Sequence, residues 1–245
     1  MDMILLDWTR MGRSYCLAGV VHHDGQLRVV RPLWSRNRDA PVRNIGWPPQ
    51  FLDGHSRWEI FELIGAEPAE PQAPHLEDVW VRAMRTRYTL ANPAQRRAVL
   101  QATLALPDAP WFGETLVTTR SAAYLSPNTG TRSLAGVLVP TRAIRFTASW
   151  RDGTPEPDYR VTLAIPGLEE RSLPVKDHFL LQRAEDASPS VDGRIRQMTF
   201  AVGQMGEQVA VRLGVSRGFQ ATPARAESVC WLMADGFFSF NDPQC

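Results

Sequence analysis

A two-residue periodicity of apolar side chains limits the fold of this chain more than any other feature. Large apolar residues occupy every second position over residues 159–165 and again over residues 209–215. This spacing places them on one face of a β-strand, whereas a helix needs a period of 3.6. Residues 3–8 are almost entirely apolar, which is typical of a buried strand. The sequence therefore predicts a mainly β protein.

A tight hairpin is predicted near the start of the chain. Apolar runs at residues 15–21 and 27–31 flank Asp24-Gly25, a dipeptide that favours a turn with positive φ at both central positions. Gly19, inside an apolar strand, indicates a bulge or a barrel corner. Further strands are predicted at residues 58–64, 79–84, 133–139, 143–150 and 229–233.

Helix signals are few. Asn92 is placed to cap a helix, Pro93 takes its first position, and Gln95 falls where a capping box has Glu or Gln. These signals predict a helix over residues 92–106. A shorter helix over residues 176–183, capped by Asp177, and a loop over residues 184–193 are also predicted.

The order of these elements indicates the architecture. The 245 residues allow one large β domain or two domains of about 120 residues. From residue 133 onward, strands, a short helix and more strands follow in the order of a five-stranded OB barrel. We predict two OB-like β-barrel units with one or two short helices. The first unit spans residues 1–120 with helix 92–106, the second spans residues 133–245, and the division lies near residues 107–133.

Several short motifs resemble the dual OB-containing domain proteins, a prokaryotic family. They are GRSYCLAG at residues 12–19 followed by Arg31-Pro32, PHLEDVW at residues 74–80, RSLAGVL at residues 132–138, and the closing strands 209–215 and 229–233. The resemblance implies two OB-like barrels and a role linked to nucleic acid, in a defence or mobile-element system. It implies no enzymatic activity and no catalytic residues.

Catalytic motifs are missing from the sequence. It contains no phosphate-binding glycine loop, no GxSxG and no HExxH. We therefore predict a binding protein without catalytic residues, cofactor or metal site. One alternative stays open: distant residues, such as His55 or His75 with Asp53 or Asp78, would form a metal site if folding brought them together.

Cysteine usage and apolar run lengths indicate the compartment. The cysteines are Cys16, Cys230 and Cys245, an odd number without CxxC spacing, which favours a reducing environment. The N-terminal residues lack the basic start of a signal peptide, and no apolar run reaches the ~18 residues of a membrane span. We expect a cytoplasmic protein with no membrane partner.

Charge is distributed unevenly along the chain. Of the 27 basic residues, 26 are arginines. Residues 79–151 contain ten arginines and two acids, a net charge of +8. Residues 62–78 contain five acids and no base, and residues 152–193 contain nine acids and four bases, so each flank has a net charge of −5. The basic block would attract a polyanion to one face, unless the acidic flanks fold back and neutralise it.

Aromatic residues lie among these arginines, a combination that OB barrels use to bind single strands without sequence preference. A long loop over residues 34–53 carries a second set and is predicted to face a ligand or partner. The candidate binding residues are Trp34, Arg36, Arg38, Arg43 and Trp47 in the loop, and Arg82, Arg85, Arg87 and Tyr88 in the basic block.

These observations favour a non-enzymatic binding module for single-stranded DNA or RNA, or for a protein that handles nucleic acid. One alternative is a protein-interaction or scaffold subunit of a larger assembly. Another is a small-nucleotide sensor or an uncharacterised enzyme. A continuous groove of arginine and aromatic residues would favour the first function, and a flat apolar patch of a few hundred Å² the second.

Overall fold

The computed structural model describes residues 1–12, 14–35, 46–51, 53–70, 72–105, 109–119, 122–150, 156–165, 168–218 and 228–241. Strands account for 49% and helices for 20% of the structure, which confirms the mainly β prediction. The sheets form two strongly curled half-barrels, consistent with two OB-like β-barrel units. The exact division of the chain into domains stays a prediction.

The first sheet contains seven strands in the order β5-β6-β3-β2-β1-β4-β7. Their bounds are β1 Asp2–Met11, β2 Ser14–His23, β3 Gln26–Trp34, β4 Glu59–Ile64, β5 Glu67–Pro68, β6 Asp78–Val81 and β7 Ala83–Thr89. Neighbouring strands are antiparallel except β3 and β6, which are parallel. Residues 79–84, predicted as one strand, therefore divide between β6 and β7, which lie in different parts of the sheet.

Two predictions about the β1–β2–β3 meander are confirmed. Asp24 and Gly25 have φ values of 51° and 75°, as the turn between β2 and β3 requires. The register of β1 shifts between Leu5 and Asp7, opposite Gly19 on β2. A Cβ atom on Gly19 would lie 2.1 Å from the carbonyl oxygen of Ile4, so the two backbones approach too closely for any side chain there.

The other strands form two smaller sheets. Their bounds are β8 Val117–Thr118, β9 Ala123–Leu125, β10 Leu134–Pro140, β11 Arg145–Ser149, β12 Asp158–Ile165, β13 Leu168–Pro174, β14 Gln208–Val215 and β15 Cys230–Ser239. The second sheet has the order β10-β14-β15-β9-β8, and the third has the order β11-β12-β13. A parallel bridge between Val175 and Ala234 joins the end of β13 to β15.

The described residues contain three α-helices. Helix α1, Pro93–Thr103, is capped by Asn92, whose side chain accepts from the N–H of Ala94 at 2.9 Å and of Gln95 at 3.3 Å. Helix α2, His178–Ala187, is capped by Asp177. Both caps confirm the predicted helix starts. None of the helices in this part of the chain is long and apolar enough to cross a membrane.

Helix α3, Val191–Gly203, corrects one prediction. Residues 184–193 were expected to form a loop, but they contain the end of α2, a short connection and the first turn of α3. Ser190 caps the new helix by accepting from the N–H of Gly193 at 3.1 Å. Packing explains the difference, because Met198 and Val202 are buried in the large core of the second half.

The first and second sheets share a core. One buried cluster combines Ile4 and Leu6 of β1 with Leu100 of α1 and Phe238 of β15. Across the same boundary, Asp7 of β1 accepts from Arg212 of β14, with Nη2 2.9 Å from Oδ2. Burial of apolar groups and a desolvated ion pair thus join strands from opposite ends of the sequence.

Candidate functional site

Strand β7 forms an edge of the first sheet and carries the predicted binding residues of the basic block. Arg82 lies just before the strand, and Arg85, Arg87 and Tyr88 lie within it. All four residues are exposed, and Tyr88 exposes 62% of its surface. The segment therefore presents three guanidinium groups and one phenol ring to solvent.

A bulge in β7 brings the aromatic ring to the same face as an arginine. Ile60 of β4 pairs with Tyr88, and Glu62 pairs with Arg85. Since Ile60 and Glu62 are two residues apart on one strand, they share a face, and so do their partners. The register shift between these pairs gives β7 an extra residue, Arg87. Without it, Arg85 and Tyr88 would point to opposite faces.

Glu62 holds two of these arginines close together. Its Oε2 lies 2.8 Å from Nη2 of Arg85 and 2.9 Å from Nη2 of Arg87. The arginine side chains remain 61% and 45% exposed. Exposed pairs of this kind contribute about 0–1 kcal/mol, so another anion can replace Glu62 at little cost.

Part of the basic block is neutralised by its acidic flanks. Glu62 belongs to residues 62–78, and Glu170, which pairs with Arg145, belongs to residues 152–193. Other arginines of the block donate to backbone carbonyls: Arg96 to Leu90, Arg97 to Phe240 and Arg132 to Trp111. The two glutamates therefore offset part of the charge of the block, and the carbonyl contacts fix the positions of three further arginines.

The predicted loop residues occupy a different environment. Trp47 is only 2% exposed, and its Nε1 donates to the carbonyl of Pro32 at 2.8 Å. Trp34 is half-buried, with its ring centroid 6.0 Å from that of Trp47 and the two planes 20° apart. Trp47 is therefore a packing residue. Arg36, Arg38 and Arg43 lie outside the described residues.

A cavity of about 360 Å³ lies between the first and second sheets, and we call it the inter-sheet pocket. Strands β1, β2 and β3 form one wall, and β10, β14 and β15 form the other. Its apolar lining includes Leu17, Leu33, Leu134 and Met233, and its polar lining includes Cys16, Arg31, Arg217 and Asp235. The volume of the pocket and its combination of apolar and polar lining residues are typical of a small-molecule site.

Asp78 balances the two arginines of this pocket. Its Oδ1 accepts from Nε of Arg31 at 2.6 Å, and its Oδ2 accepts from Nη2 of Arg217. Burial alone would lower the pKa of Arg31, but the negative charges of Asp78 and Glu77 outweigh this effect and raise it. Glu77 also accepts from the hydroxyl of Ser133, at the start of β10. Both arginines are therefore already paired with Asp78.

Other polar groups near the pocket favour uncharged forms. Burial, and then the charge of Asp7, raise the pKa of Asp235 well above the ordinary carboxyl value. Burial also raises the pKa of the Cys16 thiol. For His75, burial and the charges of Arg31 and Arg217 lower the pKa far below the ordinary value. Burial thus favours the uncharged form of each of these three groups.

Sequence analysis did not identify this pocket, because its residues come from six strands. Charged residues inside apolar strands were the available signal. Arg31 interrupts the apolar run of β3, and Asp235 interrupts that of β15. Such positions are rarely charged unless another buried group is paired with them or a site requires them.

Comparison with protein-family models and with curated proteins gave no match to this chain. The resemblance to the dual OB-containing domain proteins therefore depends on the short motifs alone.

Proposed function

We propose that this chain is a non-enzymatic binding module that holds single-stranded nucleic acid along β7. The observation that carries the proposal is the exposed cluster of Arg82, Arg85, Arg87 and Tyr88 on this edge strand. Guanidinium groups bind phosphates, and a phenol ring provides a surface on which a base can stack. The bulge at Arg87 supports the proposal because it directs both kinds of group to one side of the strand.

In the unbound state, the carboxylate of Glu62 holds Arg85 and Arg87 together in the position that a phosphate of the nucleic acid would take. A phosphate that replaces Glu62 meets two guanidinium groups already in place, so little side-chain ordering is needed on binding. Contacts with phosphates and stacking on a ring do not distinguish one base from another, so we expect little sequence preference.

Fluorescence anisotropy with a labelled oligonucleotide tests this function. The affinity should fall steeply between about 50 and about 200 mM salt, because bound phosphates release counterions. The double change Arg85→Ala, Arg87→Ala should weaken binding and reduce the slope of log affinity against log salt by about 1.4, at about 0.7 for each lost phosphate contact.

Arg145→Ala provides the matched control. Arg145 is 60% exposed and paired with Glu170, much as Arg85 is paired with Glu62, but it lies on the third sheet. This variant should bind like the unmodified protein. Equal losses for the two variants, or no binding at micromolar protein, would reject β7 as the binding surface.

The exposed large hydrophobic residues of the described part lie on separate elements or connections. They are Met1, Leu76, Tyr88, Val117, Trp150 and Phe200. Single exposed apolar residues are ordinary on protein surfaces. A scaffold role is the alternative outcome of the experiment, in which the protein fails to bind any oligonucleotide.

A further inference from the structure

The first wall of the inter-sheet pocket is a face of β1 and β2 that points at the second sheet. Thr9 of β1 pairs with Cys16 of β2, so their side chains share a face. Asp7, two residues before Thr9, lies on the same face and reaches Arg212 of β14. Met11 and Cys16 therefore point across the boundary between the half-barrels, and both line the pocket.

The second wall is formed by β10 and β15. Leu134 of β10 pairs with Gly214 of β14, and Gly214 pairs with Met233 of β15. The side chains of Leu134 and Met233 therefore share a face. Arg212, two residues before Gly214, lies on that face and reaches Asp7, so the face points at the first sheet. Both apolar side chains line the pocket.

The exposure of the lining residues shows from which end the pocket is reached. Met11 and Cys16 are partly exposed, and the side chain of Arg217 is 17% exposed. Leu134 and Met233, in contrast, are only 6% and 7% exposed. A ligand would therefore enter where β1 ends and β2 begins, and the two apolar side chains form the floor.

The charged groups of the pocket disfavour an ion of either sign. Asp78 accepts from both Arg31 and Arg217. An anion would meet the carboxylate of Asp78, and a cation would meet the two guanidinium groups. Arg31 and Asp235 are only 5% and 3% exposed, so they offer little surface to a ligand. A charged ligand would therefore lose its hydration without gaining an uncommitted partner.

We infer that the inter-sheet pocket binds an uncharged aromatic molecule. Three sulfur atoms line it, from Met11, Cys16 and Met233. Burial raises the pKa of the Cys16 thiol, so this sulfur is neutral. Such polarisable sulfur atoms make favourable contacts with aromatic rings. The volume of about 360 Å³ is near the lower end of the range for small-molecule sites, about 300–1,000 Å³, and suits a compact molecule.

Fluorescence titration with N-phenyl-1-naphthylamine, an uncharged dye that brightens in apolar surroundings, tests the inference. The dye should give a saturable rise at micromolar concentration. 8-Anilinonaphthalene-1-sulfonate has the same rings and a sulfonate in the middle of the molecule, so burial of its rings also buries the charge. It should bind about tenfold more weakly or not at all. No saturable rise with the neutral dye, or equal binding of both dyes, would overturn the inference.

Competition between two uncharged alcohols tests the preference for a ring. 2-Naphthol and 1-octanol are both largely apolar, but only 2-naphthol can place an aromatic ring against the sulfur atoms. 2-Naphthol should displace the bound dye at a lower concentration than 1-octanol. Equal displacement by the two alcohols would show that the pocket does not select an aromatic molecule.

A substitution at Cys16 tests whether the dye occupies this pocket. Cys16→Phe places a large side chain in the cavity and should abolish dye binding. His22→Phe is the matched control, because His22 is exposed on the same strand and does not line the pocket described here. This variant should bind the dye normally. Unchanged dye binding by Cys16→Phe would contradict the inference.

Alkylation of the unmodified protein decides the question if Cys16→Phe does not fold. Bound dye should slow the reaction of Cys16 with N-ethylmaleimide about tenfold, as measured by peptide mass spectrometry. Cys230, which is 2% exposed and does not line the pocket described here, is the internal reference. An unchanged rate at Cys16, or equal slowing at both cysteines, would show that the dye does not cover Cys16.

The inference does not rest on the proposed function, and one variant separates the two. Arg85→Ala, Arg87→Ala should bind the dye normally, because β7 does not line the pocket described here. Oligonucleotide binding without dye binding would overturn the inference and leave the function standing. Dye binding without oligonucleotide binding would have the opposite meaning.

Discussion

Asp7 and Arg212 have side chains that are each only 1% exposed, and they face each other across the boundary between the first and second sheets. Replacing Arg212 with methionine would leave a buried carboxylate without its partner. We expect Arg212→Met to lower the free energy of unfolding by about 3–5 kcal/mol, measured by urea denaturation.

The matched control for this pair is the double change Asp7→Leu, Arg212→Met. It removes both buried charges, so it should recover most of the stability lost in Arg212→Met. A single variant as stable as the unmodified protein would show that the ion pair contributes nothing to stability.

The raised pKa of Asp235 should give the stability of the protein an unusual pH dependence. Its pKa is raised in the folded state, so above the ordinary value of 3.8 the folded protein retains a proton that the unfolded chain has released. The free energy of unfolding therefore falls as the pH rises from about 4 toward the folded pKa of Asp235, and this contribution is constant above that pKa.

Asp235→Asn cannot ionise and should remove this contribution. The melting temperatures of the two proteins should differ least near pH 4. As the pH rises, the melting temperature of the variant should increase relative to that of the unmodified protein. A difference that is constant across pH, or that grows toward acid, would contradict the raised pKa.

The start of helix α1 depends on the side chain of its capping residue, Asn92. Asn92 accepts from two backbone N–H groups of its first turn. Asn92→Ala should lower the free energy of unfolding by about 0.5–2 kcal/mol, seen in urea unfolding followed by circular dichroism. Gln101→Ala, at an exposed position later in the same helix, should have little effect. If both changes lower the free energy of unfolding equally, loss of the cap does not explain the effect of Asn92→Ala.

Tyr88 is the stacking residue of β7 in the proposed function. Tyr88→Ala should weaken oligonucleotide binding by about 5- to 150-fold, the equivalent of one lost stack of about 1–3 kcal/mol. Tyr88→Phe keeps the ring and should bind nearly as well, which anisotropy can measure on both variants. Equal binding by all three proteins would remove Tyr88 from the site.

The elements that sequence analysis predicted correctly are those specified by local signals. Asp24-Gly25 needs only its own dihedral preferences to form a turn, and Asn92 with Pro93 marks a helix start without help from the core. Helix α3 was missed although Val191, Ile195, Met198 and Val202 follow a helical spacing. The Ser and Pro residues before it resemble a loop, and only packing shows that the apolar face is buried.

The whole molecule should unfold as one unit, because the two half-barrels share a core. Trp58 of the first half lies against Phe238 of β15, with ring centroids 5.5 Å apart. Urea unfolding followed by tryptophan fluorescence and by far-ultraviolet circular dichroism should give coincident curves. Two separated transitions would show that each half-barrel is stable alone.

The candidate sites differ in how far the sequence predicts them, for a reason that concerns the whole chain. Arg82, Arg85, Arg87 and Tyr88 are neighbours in sequence, and their exposure follows from the position of β7 at a sheet edge. The pocket instead combines Arg31, Arg217 and Asp235, which only the complete tertiary structure brings together. Burial of Trp47 depends likewise on tertiary packing, so its place in a polar loop was misleading.

The ion pair between Asp7 and Arg212 also has a consequence during synthesis, since its members are 205 positions apart. A ribosome adds roughly 5–20 residues per second, so about 10–40 s separate the two side chains. During this interval β1 has no partner for its buried carboxylate, and contacts of such long range are slow to form. The first sheet therefore reaches its final state only after β14 and β15 have been translated, and the boundary between the half-barrels closes late.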